Sequence, residues 1–534
     1  AAATGDRRRD RTGRVADCAR HCAWPIAPGG AVCLGPAMTQ DMSRRALIGT
    51  ALAALATPAA AAPAVSLRPR LRPEAIRAAA AAAETEALIA RARLSGEVGY
   101  AVMDAATGEM LEARAAGAVL PPASVTKTIT ALYALDVLGR EHRFATRLMA
   151  TGPVEDGVLR GDLVLAGGGD PTLDTDALAD MAAGLKRAGV REVTGAFRVW
   201  GGAVPYRASI DPRQPVTAGY NPALSGLNLN YNRVHFEWRR AGDGYAVSMD
   251  ARSGRYRPEV SVARMRVANR RAPIYSYADR GGRDEWSVAR GALGTNGARW
   301  LPVRKPELYA GEVFATFARA QGIVLATPQV SRGDAPRGDT LVTHASAPLA
   351  EILRGMLRYS TNLTAEMVGL AASAKRLGAA PDLRASAREM TGWARAHLGM
   401  QAARLRDHSG LDDRSRLSAA DMVRALAAQG PESGLRPLLR DYTMRDGQGR
   451  PVRNHPVEVQ AKTGTLYFVS ALAGYATAPG DRDLVFAILT ASESLRSGID
   501  PAQDMRPRGA RGWTGRARRL QRALIDRWGA AYRG

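Results

Sequence analysis

A serine three residues ahead of a lysine, in Ser124-Val125-Thr126-Lys127, has the types and spacing for nucleophilic catalysis. Residues three apart share a helix face, so the Lys127 amine comes within reach of the Ser124 hydroxyl. Pro121 and Pro122 precede the pair, and Pro favours a helix's first turn, so the spacing predicts Ser124 near a helix N-terminus. Dipole and free amides there favour developing negative charge. A serine hydroxyl is a weak nucleophile until a base takes its proton. Lysine is such a base only if its pKa falls well below the usual value of about 10.4, through burial or a second cation close by. The chain has only five lysines among its 74 basic residues, so Lys127 and Lys462 are more informative than lysines elsewhere.

Two more stretches fit the same chemistry. Ser360-Thr361-Asn362 supplies a hydroxyl able to relay a proton between Lys127 and a leaving amine, and an amide that both donates to and accepts from a substrate peptide. Lys462-Thr463-Gly464 stands at the start of an expected strand. Gly464 would let substrate backbone approach and pair along the strand edge. Thr463, beside the Lys462 charge, suits a terminal carboxylate. Asp170 lies in a glycine-rich stretch, but no Lys-Ser/Thr follows, and one carboxylate cannot build a calcium cage. The seven histidines show no zinc-peptidase spacing. His408 reads as a loop residue near the cleft rather than as a base.

The elements that must position these groups follow from the pattern. Residues 75–94 read as a helix, 99–104 as a strand, and a second helix follows Pro122. From about 150 to 330 the chain has Gly-punctuated alternating segments, the texture of short strands. Helical periodicity returns from about 345. Val469–Tyr475 and Leu484–Leu489 flank Pro479-Gly480-Asp481 as a hairpin. The middle thus reads as an insertion into a domain built from both ends.

The chain has 534 residues, 46% hydrophobic and 23% charged, which excludes a disordered or collagen-like protein. Ser43-Arg44-Arg45 followed by a short apolar run and small residues reads as an export signal cleaved near Ala62 or Ala64, with the twin-arginine route open to it. Residues 42–64 are that signal. Residues 1–41 are expected to be an upstream extension, with the true start at Met38 or Met42. All three cysteines, Cys18, Cys22 and Cys33, fall in that extension, so no disulfide framework is expected in the mature protein. The basic character survives processing, since residues 1–62 hold only eight Arg and four Asp and the net charge falls only from +23 to about +19. A periplasmic location follows, with cell-wall polymer and membrane surface as the anionic partners rather than nucleic acid. Residues 511–534 read as a basic amphipathic helix that suits either a membrane surface or packing on its own domain.

The three motifs, in this order, resemble the D-alanyl-D-alanine carboxypeptidase/endopeptidase class of low-molecular-mass penicillin-binding proteins (class C), serine DD-peptidases with a large insertion. Further stretches carry the resemblance: Gly161–Leu173, Tyr220-Asn221-Pro222-Ala223, Leu227–Asn230, Asn362–Glu366 and Asp407-His408-Ser409-Gly410-Leu411 with Arg414. The sequence departs from the family pattern at Thr361, where Asp is usual, and at His408, where Gly is usual. Val216 and Thr217 also stand near the place of an expected acid.

The resemblance implies an α+β fold: a penicillin-binding/transpeptidase-like domain of residues 68–148 and 342–534, with an antiparallel sheet flanked by helices plus a helical subdomain. A strand-rich insertion, 149–341, has room for two subdomains. It implies that Ser124 attacks the D-Ala-D-Ala carbonyl with Lys127 as base, aided by Ser360, Asn362 and Lys462. Backbone amides of Ser124 and Thr465 would form the oxyanion hole. Lys462 with Thr463 would hold the substrate's C-terminal carboxylate, Gly464 would border the substrate, and Arg414 would help hold its cross-linking residue. Peptidoglycan stem peptides are the implied substrates, β-lactams would acylate the serine, and no metal or cofactor is needed. A serine β-lactamase and a catalytically idle wall-binding protein are the rival readings.

Overall fold

The computed structural model describes residues 73–429, 434–502, 504 and 507–533. The upstream-extension and export-signal readings lie outside them.

The catalytic elements surround a six-stranded antiparallel sheet that joins the two ends of the chain. Strands β1 (Glu97–Asp104) and β2 (Met110–Arg114) come from the N-terminal part. Strands β3 (Glu458–Leu466), β4 (Val469–Ala478) and β5 (Arg482–Ala491) come from the C-terminal part. The order is Arg440–Asp441, β3, β4, β5, β1, β2, with β1 zipped to β5 from Glu97↔Ala491 to Asp104↔Leu484. The β4–β5 hairpin closes through Pro479-Gly480-Asp481, where Gly480 and Asp481 take φ of 84° and 60°. Both of its strands are almost wholly buried, because helices cover both faces, and such strands carry continuous apolar runs rather than alternation.

One face packs on a helical cluster formed by α2 (Thr126–Leu138), α3 (Leu349–Tyr359), α4 (Asn362–Leu377), α5 (Leu383–Leu398) and α6 (Ala419–Ala428), which follow the N-terminal α1 (Pro73–Ala92). Helix α2 is buried continuously from Thr126 to Ala134, as expected of a helix at the centre of a bundle. The other face of the sheet is covered by α7 (Ala510–Ala531). Trp513, Ala517, Leu520, Leu524 and Trp528 form one buried face of α7, and the Trp528 ring lies 5.6 Å from Tyr100 and 6.0 Å from Phe486. The apolar face that a lipid surface would need is therefore spent on the sheet. Arg511, Arg518 and Arg519 of this helix are exposed.

Residues 145–345 build their own sheets on a separate apolar core. The largest has five strands in the order Gln329–Ser331, Phe197–Trp200, Leu163–Gly167, Ala145–Ala150, Asp339–Ala345. The strand texture read from the sequence is present, and two helices it did not show, Thr175–Arg187 and Pro306–Ala320, pack beside this sheet. Their signals were local: Asp174 caps the first by accepting from the Ala177 amide, and Pro306 starts the second.

Candidate active site

Ser124 sits on a 3-10 turn, Ala123–Val125, that runs into α2 at Thr126. The α-helix proper thus begins two residues after the serine, and Lys127 is in its first turn. Ala123 holds a left-handed φ of 48°, a conformation that costs a residue bearing a Cβ and that clusters at functional sites. The loop carrying Gly410 presses on this turn: a Cβ on Gly410 would lie 1.8 Å from the Ala123 carbonyl oxygen. Strand β3 presses from another side, where a Cβ on Gly464 would lie 2.7 Å from the Pro122 oxygen. Gly464 is thus needed so that the protein's own nucleophile turn can approach, rather than only for the substrate backbone proposed from sequence.

Lys127 is completely buried. Its Nζ is 3.1 Å from Ser124 Oγ, and it donates to Asn362 Oδ1 at 2.7 Å and to the Ser409 carbonyl at 2.7 Å. The last two partners can only accept here. A neutral amine has two N–H bonds and one lone pair, so both N–H bonds go to Asn362 and Ser409 and the lone pair faces the Ser124 hydroxyl. That is the geometry of a general base. Burial pushes the Lys127 pKa down to about 8, against the opposing influence of Glu366 and Asp407.

Behind the lysine lies a part of the site that the sequence reading did not assign. Glu366, one helical turn from Asn362 on α4, is completely buried and accepts from the His408 amide at 2.9 Å and the Ser409 amide at 3.0 Å. Those bonds fix the backbone that offers the Ser409 carbonyl to Lys127. Burial, and then the charge of Asp407, push the Glu366 carboxyl up to about 8. Asp407 in turn accepts from the Gly410 and Asp412 amides, at 2.8 and 2.7 Å. The only signal in sequence was Glu366 four residues after Asn362, hence on the same helix face.

Ser360 and Lys462 form a second pair. Lys462 lies inside β3 rather than at its start, is 2% exposed, and its Nζ donates to Ser360 Oγ at 2.9 Å and to the Thr463 carbonyl at 2.8 Å. Burial, and then the neighbouring Lys127, hold the Lys462 pKa well below the usual lysine value. Ser360 ends α3 with φ of 58°, a position where glycine is usual. Ser360→Gly and Ser360→Ala both delete the hydroxyl, but the Gly variant should be the more stable by about 0.5–1 kcal/mol, since only the Ala side chain is strained there. Thermal unfolding of the two variants checks this; equal midpoints would count against the strain.

The insertion also reaches the site. Asn362 Nδ2 donates to the Tyr220 carbonyl at 3.0 Å, and Tyr220 lines the cleft together with Ser124, Ser360, Asn362 and Thr465. The cleft encloses about 1420 Å³. Thr463 is half-buried two residues before Thr465 on the same face of β3.

Arg414 is placed differently from its expected role. Its guanidinium is held by Asp412, at 2.9 and 2.7 Å, and it is not among the side chains that line the cleft. Burial alone would raise the Asp412 carboxyl, but hydrogen bonds from Arg414 and Arg384 overcome that and hold it well below the usual carboxylate range. Arg213, from the insertion, lines the cleft instead and bridges Asp211, Asp412 and Asp413. His408 is buried against Ser386 Oγ, 2.7 Å from Nε2, and burial pushes its pKa down to about 3. It packs behind the site as a neutral ring, in space left by Gly369, where a Cβ would lie 2.2 Å from it.

Comparison with known proteins identifies the family and the fold. The chain is 29% identical over 447 residues to a D-alanyl-D-alanine carboxypeptidase of Actinomadura sp. (strain R39), covering 77% of this chain and 81% of that one. It is 27% identical over 431 residues to carboxypeptidase DacB of Mycolicibacterium smegmatis, covering 75% and 78%. Its fold matches the crystal structure of penicillin binding protein 4 (dacB) from Haemophilus influenzae with a TM-score of 0.66 at 18% identity, over 83% of this chain and 99% of that one. The expected α+β class is the one observed. The pattern of the D-Ala-D-Ala carboxypeptidase 3 (S13) peptidases matches residues 81–506, and the chain belongs to that family.

Proposed function

We propose that this serine DD-carboxypeptidase cleaves D-Ala-D-Ala termini, cross-links, or both, in peptidoglycan stem peptides through an acyl-enzyme on Ser124. The observation that supports it is the buried Lys127 amine, whose two fixed acceptors leave its lone pair on the Ser124 hydroxyl. Lys127 takes the Ser124 proton as the Oγ–C bond forms at the scissile carbonyl. The oxyanion lies against the backbone amides of Ser124 and Thr465. When the C–N bond breaks, Ser360, held by Lys462, passes a proton to the leaving amine, and Asn362 orients the acyl part. Thr463 and Gly464 border the place of the leaving D-residue. Water then hydrolyses the ester, and Lys127 serves as base again. A β-lactam enters the same steps, but its leaving group stays attached, so the ester persists.

The export signal read in residues 42–64 puts this activity in the periplasm, where its substrate is. Contact of α7 with a lipid surface would rest on its outward arginines, because its apolar face is packed on the sheet. Release of D-alanine from a pentapeptide-bearing muropeptide by the mature protein tests the reading. D-Alanine release blocked by benzylpenicillin is the expected result. Binding without D-alanine release would instead make it a wall-binding protein, and rapid turnover of penicillin a β-lactamase.

A further inference from the structure

The first turns of α7 form one wall of the cleft, with Ala510, Gly512, Thr514, Gly515 and Arg518 facing it. Of the three other arginines that line the cleft, Arg213 is neutralised by Asp211, Asp412 and Asp413 and Arg496 by Asp413, while Arg511 is exposed with no ion pair among the described residues. Arg518 differs from all three in reaching β3. It is exposed, and its Nη2 donates to the Thr465 hydroxyl at 3.2 Å. Among the described residues it forms no ion pair with a carboxylate. It therefore brings an uncompensated guanidinium to the residue beside the reacting carbonyl, on the face of β3 shared by Thr463 and Thr465.

Every substrate of this reaction carries one fixed anion near that point. The amine that leaves the scissile carbonyl belongs to a D-amino acid whose α-carboxylate lies next to the broken C–N bond, and a penicillin carries a carboxylate in the corresponding place. Resting on the proposed function, the geometry points to Arg518 as a specificity-determining residue that binds this carboxylate, with the Thr465 hydroxyl as its tether. Lys462 is less suited to the task, since its ammonium is 2% exposed and engaged by Ser360 and the Thr463 carbonyl. A guanidinium remains charged at every working pH and offers a fork of donors matched to a carboxylate.

The test compares acylation rate constants for benzylpenicillin and its methyl ester, which lacks the charge, in the mature wild type, Arg518→Ala, Arg518→Lys and the net-charge control Arg519→Ala. Arg518→Ala should lose about 10- to 100-fold with benzylpenicillin, the range of a lost charge-assisted hydrogen bond. With the ester it should match wild type to within about twofold. Arg518→Lys should recover part of the loss, and Arg519→Ala should behave as wild type. Equal losses with both compounds, no loss with either, or an equal loss in Arg519→Ala would each overturn the assignment. A wild type that benzylpenicillin does not acylate would defeat the underlying reading of the active site instead, so the two failures are distinguishable.

Discussion

Replacing Lys127 with Met should slow acylation by benzylpenicillin at least about 1,000-fold, near the upper part of what a positioned base contributes, while the protein stays folded. Methionine keeps the length and volume of the buried side chain but has no lone pair for the Ser124 proton. It also leaves Asn362 Oδ1 and the Ser409 carbonyl without their donor, at a cost in stability of about 1–3 kcal/mol for each unmet acceptor. Far-UV circular dichroism and thermal unfolding separate loss of chemistry from loss of fold. The wild-type pH dependence carries a further sign. Only the neutral amine is a base, and burial places the Lys127 pKa at about 8. The acylation rate constant should therefore rise about tenfold per pH unit on the acid side and level off above about pH 8. A rate independent of pH between 6 and 9, or a Lys127→Met variant that reacts normally, would exclude Lys127 as the base.

The second large effect is expected at Glu366. This residue touches neither the substrate nor Ser124. It is a positioning residue that holds the His408 and Ser409 amides, and through them the carbonyl that takes one Lys127 N–H. Glu366→Gln leaves an NH2 group against one of those two buried amides. One unmet buried donor costs about 1–3 kcal/mol of stability. Even a displacement of about 1 Å at a catalytic group can cost around 100-fold in rate. The acid limb of the pH profile should move little, because the Glu366 carboxyl, pushed up to about 8, already holds a proton over most of that range. The loss should therefore appear as a lower rate at every pH. A limb displaced to lower pH by about a full unit would instead mean that Glu366 is charged beside Lys127 below about pH 8.

The motif residues were legible because their spacing is local. Ser124 and Lys127 meet through one helical turn, and Lys462-Thr463-Gly464 lies on one strand. The hairpin was legible because its turn residues and apolar runs sit side by side in the chain. The groups around Lys127 were not, since Glu366 and Ser409 reach it only after α4 and the 407–410 loop pack beside α2. Arg414 stands outside the cleft for a similar reason: Asp412, two residues away in sequence, captures it. Arg518 lies more than 50 residues from Thr465, and nothing in the periodicity of α7 shows which end of that helix borders the cleft. The α7 pattern itself left two surfaces open, lipid or sheet, and only the packing of Trp513 and Trp528 decides between them. Gly464 was marked correctly as a position that needs glycine, but what it must clear is the Pro122 carbonyl.

Acylation of Ser124 is tested most directly by intact-mass spectrometry of the mature protein after incubation with benzylpenicillin, beside a Ser124→Ala variant. A slowly decaying penicilloyl adduct is expected on the wild type, mapped by peptide digestion to the segment holding Ser124, and no adduct on the variant. An adduct that persists in Ser124→Ala, or a wild type that leaves benzylpenicillin intact and unbound, would contradict it.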